Sequence, residues 1–159
     1  MKLKSYRTLT PEEIATLVAN GCWAEDWTNV VVSTTAETFD TSCYRRVTFY
    51  GEVRLGATEG SVEVSHGFVK RCGVVNATLR NVQVGDGCLI ENIGNFINNV
   101  TIGNGCYISN VCTIETTPDC TFGQGHRISV LNEAGNGNLL LFSDLNSQVA
   151  AFMVKYFDD

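Results

Sequence analysis

The chain has 159 residues, 44% of them hydrophobic, enough for one domain with a modest core. A net charge of −6 and only 11 scattered Lys and Arg residues exclude nucleic acid or an anionic membrane surface as the main partner. No stretch nears the roughly 20 apolar residues that cross a bilayer, and the basic start has no apolar run behind it, so a cytoplasmic protein is expected.

The first predicted element is a short helix within an N-terminal cap, residues 1–29. Thr10-Pro11-Glu12-Glu13 places an N-cap Thr, a Pro at the first helical position and a Glu at N3, a capping-box arrangement. Ile14, Leu17 and Val18 form an apolar stripe, and Gly21 can stop the helix. Trp23 and Trp27 follow, where an aromatic pair is expected to close the open end of a β core. Val47/Phe49, Val53/Leu55, Val62/Val64 and Ala77/Leu79 then read as strand pairs, because residues two apart share a strand face. Between positions 56 and 78 the spacing is irregular, and "GATEGS" reads as a turn or loop.

From Asn81 a repeat emerges. "NVQVGDGCLIEN" returns as "NVTIGNGCYISN" at Asn99, and inside it Val84, Ile90, Phe96, Ile102, Ile108 and Ile114 recur every six residues, resuming at Phe122 and Ile128. Two positions earlier runs a mostly smaller series that includes Cys88, Gly94, Cys106, Cys112, Cys120 and His126. A six-residue beat fits no α-helix, and Gly-x-Gly triplets at one phase of each lap fit a chain winding in one direction. Three six-residue sides make one lap of 18, with the next lap about 4.8 Å above. This predicts a parallel β-helix over 30–138, clearest over 81–131. Its columns are Val84, Ile102, Phe122; Ile90, Ile108, Ile128; and Cys88, Cys106, His126. Asn81 stacks on Asn99 and Asn92 on Asn110, where amides can bond along the axis. The cysteines fall at inward small-residue positions, where a reduced thiol packs as a small hydrophobe. Seven is an odd count, and there is no Cys-x-x-Cys pair, so disulfides and a metal are not expected. The chain ends in an amphipathic helix within 139–159, capped by Ser143 or Asp144, with Leu145, Val149, Phe152, Met153 and Tyr156 on one face.

"VGDGCLI", "IGNGCYI" and "FGQGHRI" resemble the hexapeptide units of the left-handed parallel β-helix family, which contains many acyltransferases and some nucleotidyltransferase domains. The left hand is implied by that resemblance. "TPEEIATLVANGC", "GEVRLG", "NATLRNVQVGDGCLIENI" and "VLNEAG" are similar, in that order, to the N-terminal part of a family of long uncharacterised bacterial proteins. The chain is therefore expected to be a mainly β single domain, 1–159, and a fragment or short form of such a protein. The first resemblance implies a homo-oligomer, a trimer foremost, with sites in clefts and a corner-loop His as base.

Two histidines are available. His66 lies in "SHGFVKR", where Lys70 and Arg71 could meet a phosphate or carboxylate, although a solvated loop is the plainer reading. His126 is expected inward above Cys106, as a core or end-capping residue before a base. Asn132 and Glu133 in "LNEAGNGN" read equally as substrate contacts or as an exit turn. The His-x4-His spacing of the zinc-bearing branch of the fold is absent. Two functions remain: acyl- or sugar-nucleotide-linked transfer, with acyl-CoA or a nucleotide sugar as substrate, or a non-catalytic module for oligomerisation or for docking to a larger partner domain.

Overall fold

The computed structural model describes residues 5–35, 39–117, 126–129, 138–142 and 144–156. It is mainly β, with two helices, and the chain divides into two compact units, 1–117 and 118–159.

The first unit opens with β1 (Tyr6–Thr8) and α1 (Pro11–Ala19). The expected capping box is present: the Glu13 amide donates to Thr10 Oγ1 at 3.2 Å, and the Thr10 amide donates to Glu13 Oε2 at 2.8 Å. Arg7 adds a two-pronged clamp, its guanidinium donating to the Glu13 carboxylate at 2.8 and 2.6 Å. The helix stops as expected at Gly21 (φ +78°), with Gly21 N–H on Val18 O and Cys22 N–H on Leu17 O, both 2.9 Å. Leu17 is fully buried and Ile14 partly so, but Val18 is 53% exposed, so the expected stripe is narrower by one residue.

β2 (Trp23–Ala24), β3 (Val30–Ser33), β4 (Tyr44–Leu55), β7 (Gly73–Val84), β8 (Leu89–Glu91), β9 (Phe96–Ile102), β10 (Tyr107–Ser109) and β11 (Thr113–Glu115) join β1 in one mixed sheet. Within it β1 pairs antiparallel with β3, and every other pair is parallel. Ile108 pairs with Ile90 and Val100 with Val82, which places residues 18 apart over each other as expected. The core is the inward face of these strands: Val47, Phe49, Val53, Leu55, Val74, Leu79, Val84 and Ile90 are all at least nine-tenths buried.

Residues with left-handed φ mark the corners in columns. Arg46, Asn76, Asn92 and Asn110 form one column; Gly51, Asn81 and Asn99 form another. Asparagine tolerates this conformation better than other side chains. The amides bond from layer to layer: Asn76 Nδ2 to Asn92 Oδ1 at 2.9 Å, Asn81 Nδ2 to Asn99 Oδ1 at 3.3 Å, and Asn92 Nδ2 to Asn110 Oδ1 at 3.4 Å. The expected asparagine ladders are therefore present, and they extend one layer earlier, to Asn76. At a third corner Gly56, Gly85 and Gly103 lie so close that a Cβ on Gly85 would stand 2.5 Å from the Gly103 carbonyl.

The even beat fails at Phe96. Ile97 is fully buried and pairs with Leu79 and Ile114, while Phe96 faces outward, one residue out of phase with the expected column. The 18-residue spacing still holds where Gly94 and Asn95 N–H donate to Val111 and Cys112 O, so the additional residue lies between Asn95 and Phe96. Gly94 and Cys112, expected inward, are exposed. Cys88 is buried, Cys106 half-buried, and Cys120 lies outside the described residues.

The irregular span 56–78 holds β5 (Ser61–Ser65) and β6 (Phe68–Arg71), an antiparallel hairpin turning at His66-Gly67. On either side of it β4 and β7 pair in parallel, Val47 on Ala77, with the amino-acid spacing stretched to 30, as between Arg46 and Asn76.

The second unit contains β12 (Arg127–Ser129) and β13 (Asn138–Leu140), paired antiparallel with Ile128 opposite Leu139, and α2 (Ser147–Tyr156), which packs against β13. Ile128 was expected to extend the parallel column of Ile90 and Ile108; within the second unit its strand pairs antiparallel with β13. Residues 138–140, expected at the junction with a C-terminal helix, form this strand. The cap of α2 is Asn146, whose Oδ1 accepts from Gln148 and Val149 N–H at 3.1 and 3.0 Å, so the helix begins later than expected. Among the described residues no helix is long and apolar enough to cross a membrane.

Candidate functional site

The residues singled out in the sequence converge only partly. His66 sits at the hairpin turn with its side chain wholly in solvent, and its Nδ1 lies 4.0 Å from Glu63 Oε1. That same oxygen accepts the Gly67 amide at 2.8 Å, which fixes the turn. Lys70 does not wait for an anionic ligand. Its ammonium donates to both Glu91 oxygens at 2.8 and 2.7 Å, and Glu91 also accepts from Tyr107 Oη at 3.0 Å and Ser109 Oγ at 3.2 Å. These donors, Lys70 foremost, hold the Glu91 carboxyl below the usual carboxylate range, and Glu91 raises Lys70 in turn. Arg71 pairs with Asp40 and donates to Ser42 Oγ at 3.4 Å. Ser42 first, and Arg71 after burial is counted, depress the Asp40 carboxyl.

The hairpin's two cations thus fasten it to β8 at Glu91 and to the turn ahead of β4 at Asp40. Two of its apolar residues are left outside, Phe68 at 57% and Val69 at 55% exposed, whereas Val62 and Val64 are half-buried. His126 lies in the second unit and is exposed, not inward as expected; its carbonyl accepts the Leu141 amide at 3.0 Å. Asn132 and Glu133 lie outside the described residues. Among the described residues no cluster of His, Cys, Asp and Glu is placed to hold a metal ion.

Two grooves lie on outward faces that inward-column reasoning passes over. One, of about 390 Å³, is lined by Glu52, Arg54, Asn81, Gln83, Asn99 and Thr101. Arg54 lies over the Tyr6 ring at 5.9 Å and 3.8 Å from Glu52. The other, of about 370 Å³, is lined by Glu25, Tyr50, Thr78, Arg80 and Phe96. Here Trp23 is 52% exposed and meets Tyr50 at 5.5 Å between ring centroids, whereas Trp27 turns inward onto Phe49 at 6.0 Å. Of the tryptophan pair, then, only Trp27 covers the core. The signal for this groove was present in the sequence as the outward members of strands whose inward members were already assigned.

Comparison with known proteins gives a family and no activity. Over 150 residues the chain is 31% identical to an uncharacterized protein of Treponema pallidum (strain Nichols), a match covering 87% of this chain and 20% of that one. The chain thus spans about a fifth of the length of the curated relative it matches. No solved structure matches. Residues 6–159 match the family model described as "Domain of unknown function (DUF4954)", and the chain belongs to that family.

Proposed function

We propose that the chain is a left-handed parallel β-helix of hexapeptide repeats that acts as a non-catalytic assembly module of a longer protein. The 18-residue parallel register and the columns of left-handed corner residues support the winding. The hand rests on the likeness of "VGDGCLI" and "IGNGCYI" to hexapeptide units. The observation that carries the functional reading is the hairpin 61–71. Its cations are neutralised by Glu91 and Asp40, and Phe68 and Val69 are presented to solvent. Exposed aromatic and aliphatic groups on a fastened arm suit a protein contact, since interfaces are centred on such groups and exclude unpaired charge. A homo-oligomer, a trimer foremost, is the partner proposed. Burial of Cys22, Cys43, Cys72 and Cys88 as thiols suits a reducing compartment, and the cytoplasm is the proposed location.

Mass measurement in solution tests this reading. An oligomer that Phe68→Asp with Val69→Asp dissociates is expected, and a strict monomer refutes it. A second reading, acyl- or sugar-nucleotide-linked transfer, is favoured by one feature: the imidazole of His66 beside the Glu63 carboxylate on a corner insertion. Acetyl-CoA or a UDP-sugar that raises the melting temperature, with turnover lost in His66→Ala, would replace the module reading by this one.

A further inference from the structure

We propose that the outward face of β4, β7 and β9 around Tyr50 binds a neutral saccharide through a pyranose ring. Inward residues Phe49, Leu79 and Ile97 fix which neighbours point out. The register then sets Trp23, Thr48 and Thr78 in one outward row, and Tyr50, Arg80 and Asn98 in the next. Strands about 4.8 Å apart make this a flat platform, with rings at Trp23, Tyr50 and Phe96 and polar groups between them.

Two observations select the ligand. First, exposed aromatic rings offer negative faces to the weakly positive C–H rows of a pyranose, and Tyr50 and Phe96 line a groove of about 370 Å³, within the usual range of roughly 300–1,000 Å³ for ligand sites. Second, the groove's charges balance. Neither the Arg80 guanidinium nor the Glu25 carboxylate has a hydrogen-bond or ion-pair partner among the described residues. One free donor group and one free acceptor group, of opposite sign, suit hydroxyls that both donate and accept. A phosphate or carboxylate would meet Glu25 as readily as Arg80. A purely apolar ligand would strip water from both charges at a high cost.

This inference stands apart from the assembly reading, because it uses a different face and a different readout. The test is an intrinsic tryptophan fluorescence titration of the full chain with maltohexaose, cellohexaose and N,N′-diacetylchitobiose, backed by an array of neutral oligosaccharides. A saturable change with at least one of them is expected. Tyr50→Ala and Arg80→Ala should each weaken it about tenfold while leaving the melting curve in place, since both side chains are exposed. Phe68→Asp should leave it unchanged. Absence of binding across the whole array overturns the proposal, as does binding that survives both substitutions. Self-association that Tyr50→Ala abolishes, in a protein that takes up no sugar, overturns it in favour of a second copy on this face.

Discussion

Replacing Gly85 by Ala tests the stacking directly. A Cβ at this position would stand 2.5 Å from the Gly103 carbonyl carbon and oxygen and 2.7 Å from the Asn104 amide nitrogen, all backbone atoms that cannot swing aside. Comfortable carbon contacts begin near 3.5 Å, so the layers must part locally by about 1 Å. That movement pulls on the Gly85 N–H bond to Ile102 O, 2.9 Å, and on the Asp86 N–H bond to Asn104 Oδ1, also 2.9 Å. Overpacking costs about 1–3 kcal/mol and a lost hydrogen bond about 1 kcal/mol, which gives roughly 2–4 kcal/mol. For a chain of this size that lowers the melting temperature by roughly 5–15 °C. Gly94→Ala is the matched control, because its Cβ meets nothing nearer than 3.5 Å, and it should be neutral within about 1 kcal/mol. Thermal and urea unfolding measure both variants. If Gly85→Ala melts with the parent protein, or Gly94→Ala falls as far, close layer contact at this corner is not what excludes side chains, and the reasoning fails.

Other outcomes follow from single contacts. Thr10→Ala removes one half of the α1 capping box and should cost about 0.5–2 kcal/mol by urea denaturation, whereas Thr10→Ser should recover most of it. Glu91 titrates below its unfolded range because Lys70 holds it. Its contribution is therefore complete above an unfolded pKa of about 4.3 and is lost as pH falls through the lower folded value. Stability of Glu91→Gln should accordingly fall less steeply than that of the parent below about pH 4; equal slopes refute the pair's contribution. Burial raises the thiols of Cys22, Cys72 and Cys88, so a disulfide reagent at pH 8 should modify exposed Cys112 well before them. Peptide mapping that finds Cys88 among the fast thiols of folded protein contradicts the inward assignment.

What the sequence made legible was what repeats. Parallel stacking of Ile90 and Ile108 follows from an 18-residue beat because inward apolar residues must lie over one another to share a core. Asn81 over Asn99 follows from the same beat. The phase slip at Phe96 did not show, since Phe and Ile are equally apolar at adjacent positions and one additional residue between Asn95 and Phe96 leaves no mark in the pattern. The hairpin 61–71 hid a lap because Val62 and Val64 alternate just as the wall strands do. Ion pairs such as Lys70–Glu91 and Arg71–Asp40 join an insertion to the wall over long sequence separations, and no local pattern announces them. His66 was visible as a residue, but its position at a solvent-bathed turn was not. The outward groove was missed for a different reason: the eye follows the buried half of each strand, and Tyr50, Arg80 and Glu25 belong to the other half.

The stretched pairing of β4 with β7 has a practical corollary. The strands on either side of the hairpin pair in parallel, Val47 against Ala77 and Phe49 against Leu79, as though the intervening arm were an appendage. Such a fold can gain or shed a peripheral arm at a bend without renegotiating its interior. Descendants of one scaffold can therefore diverge in their appendages while their walls stay alike, and the hairpin base offers a natural point for grafting a foreign loop.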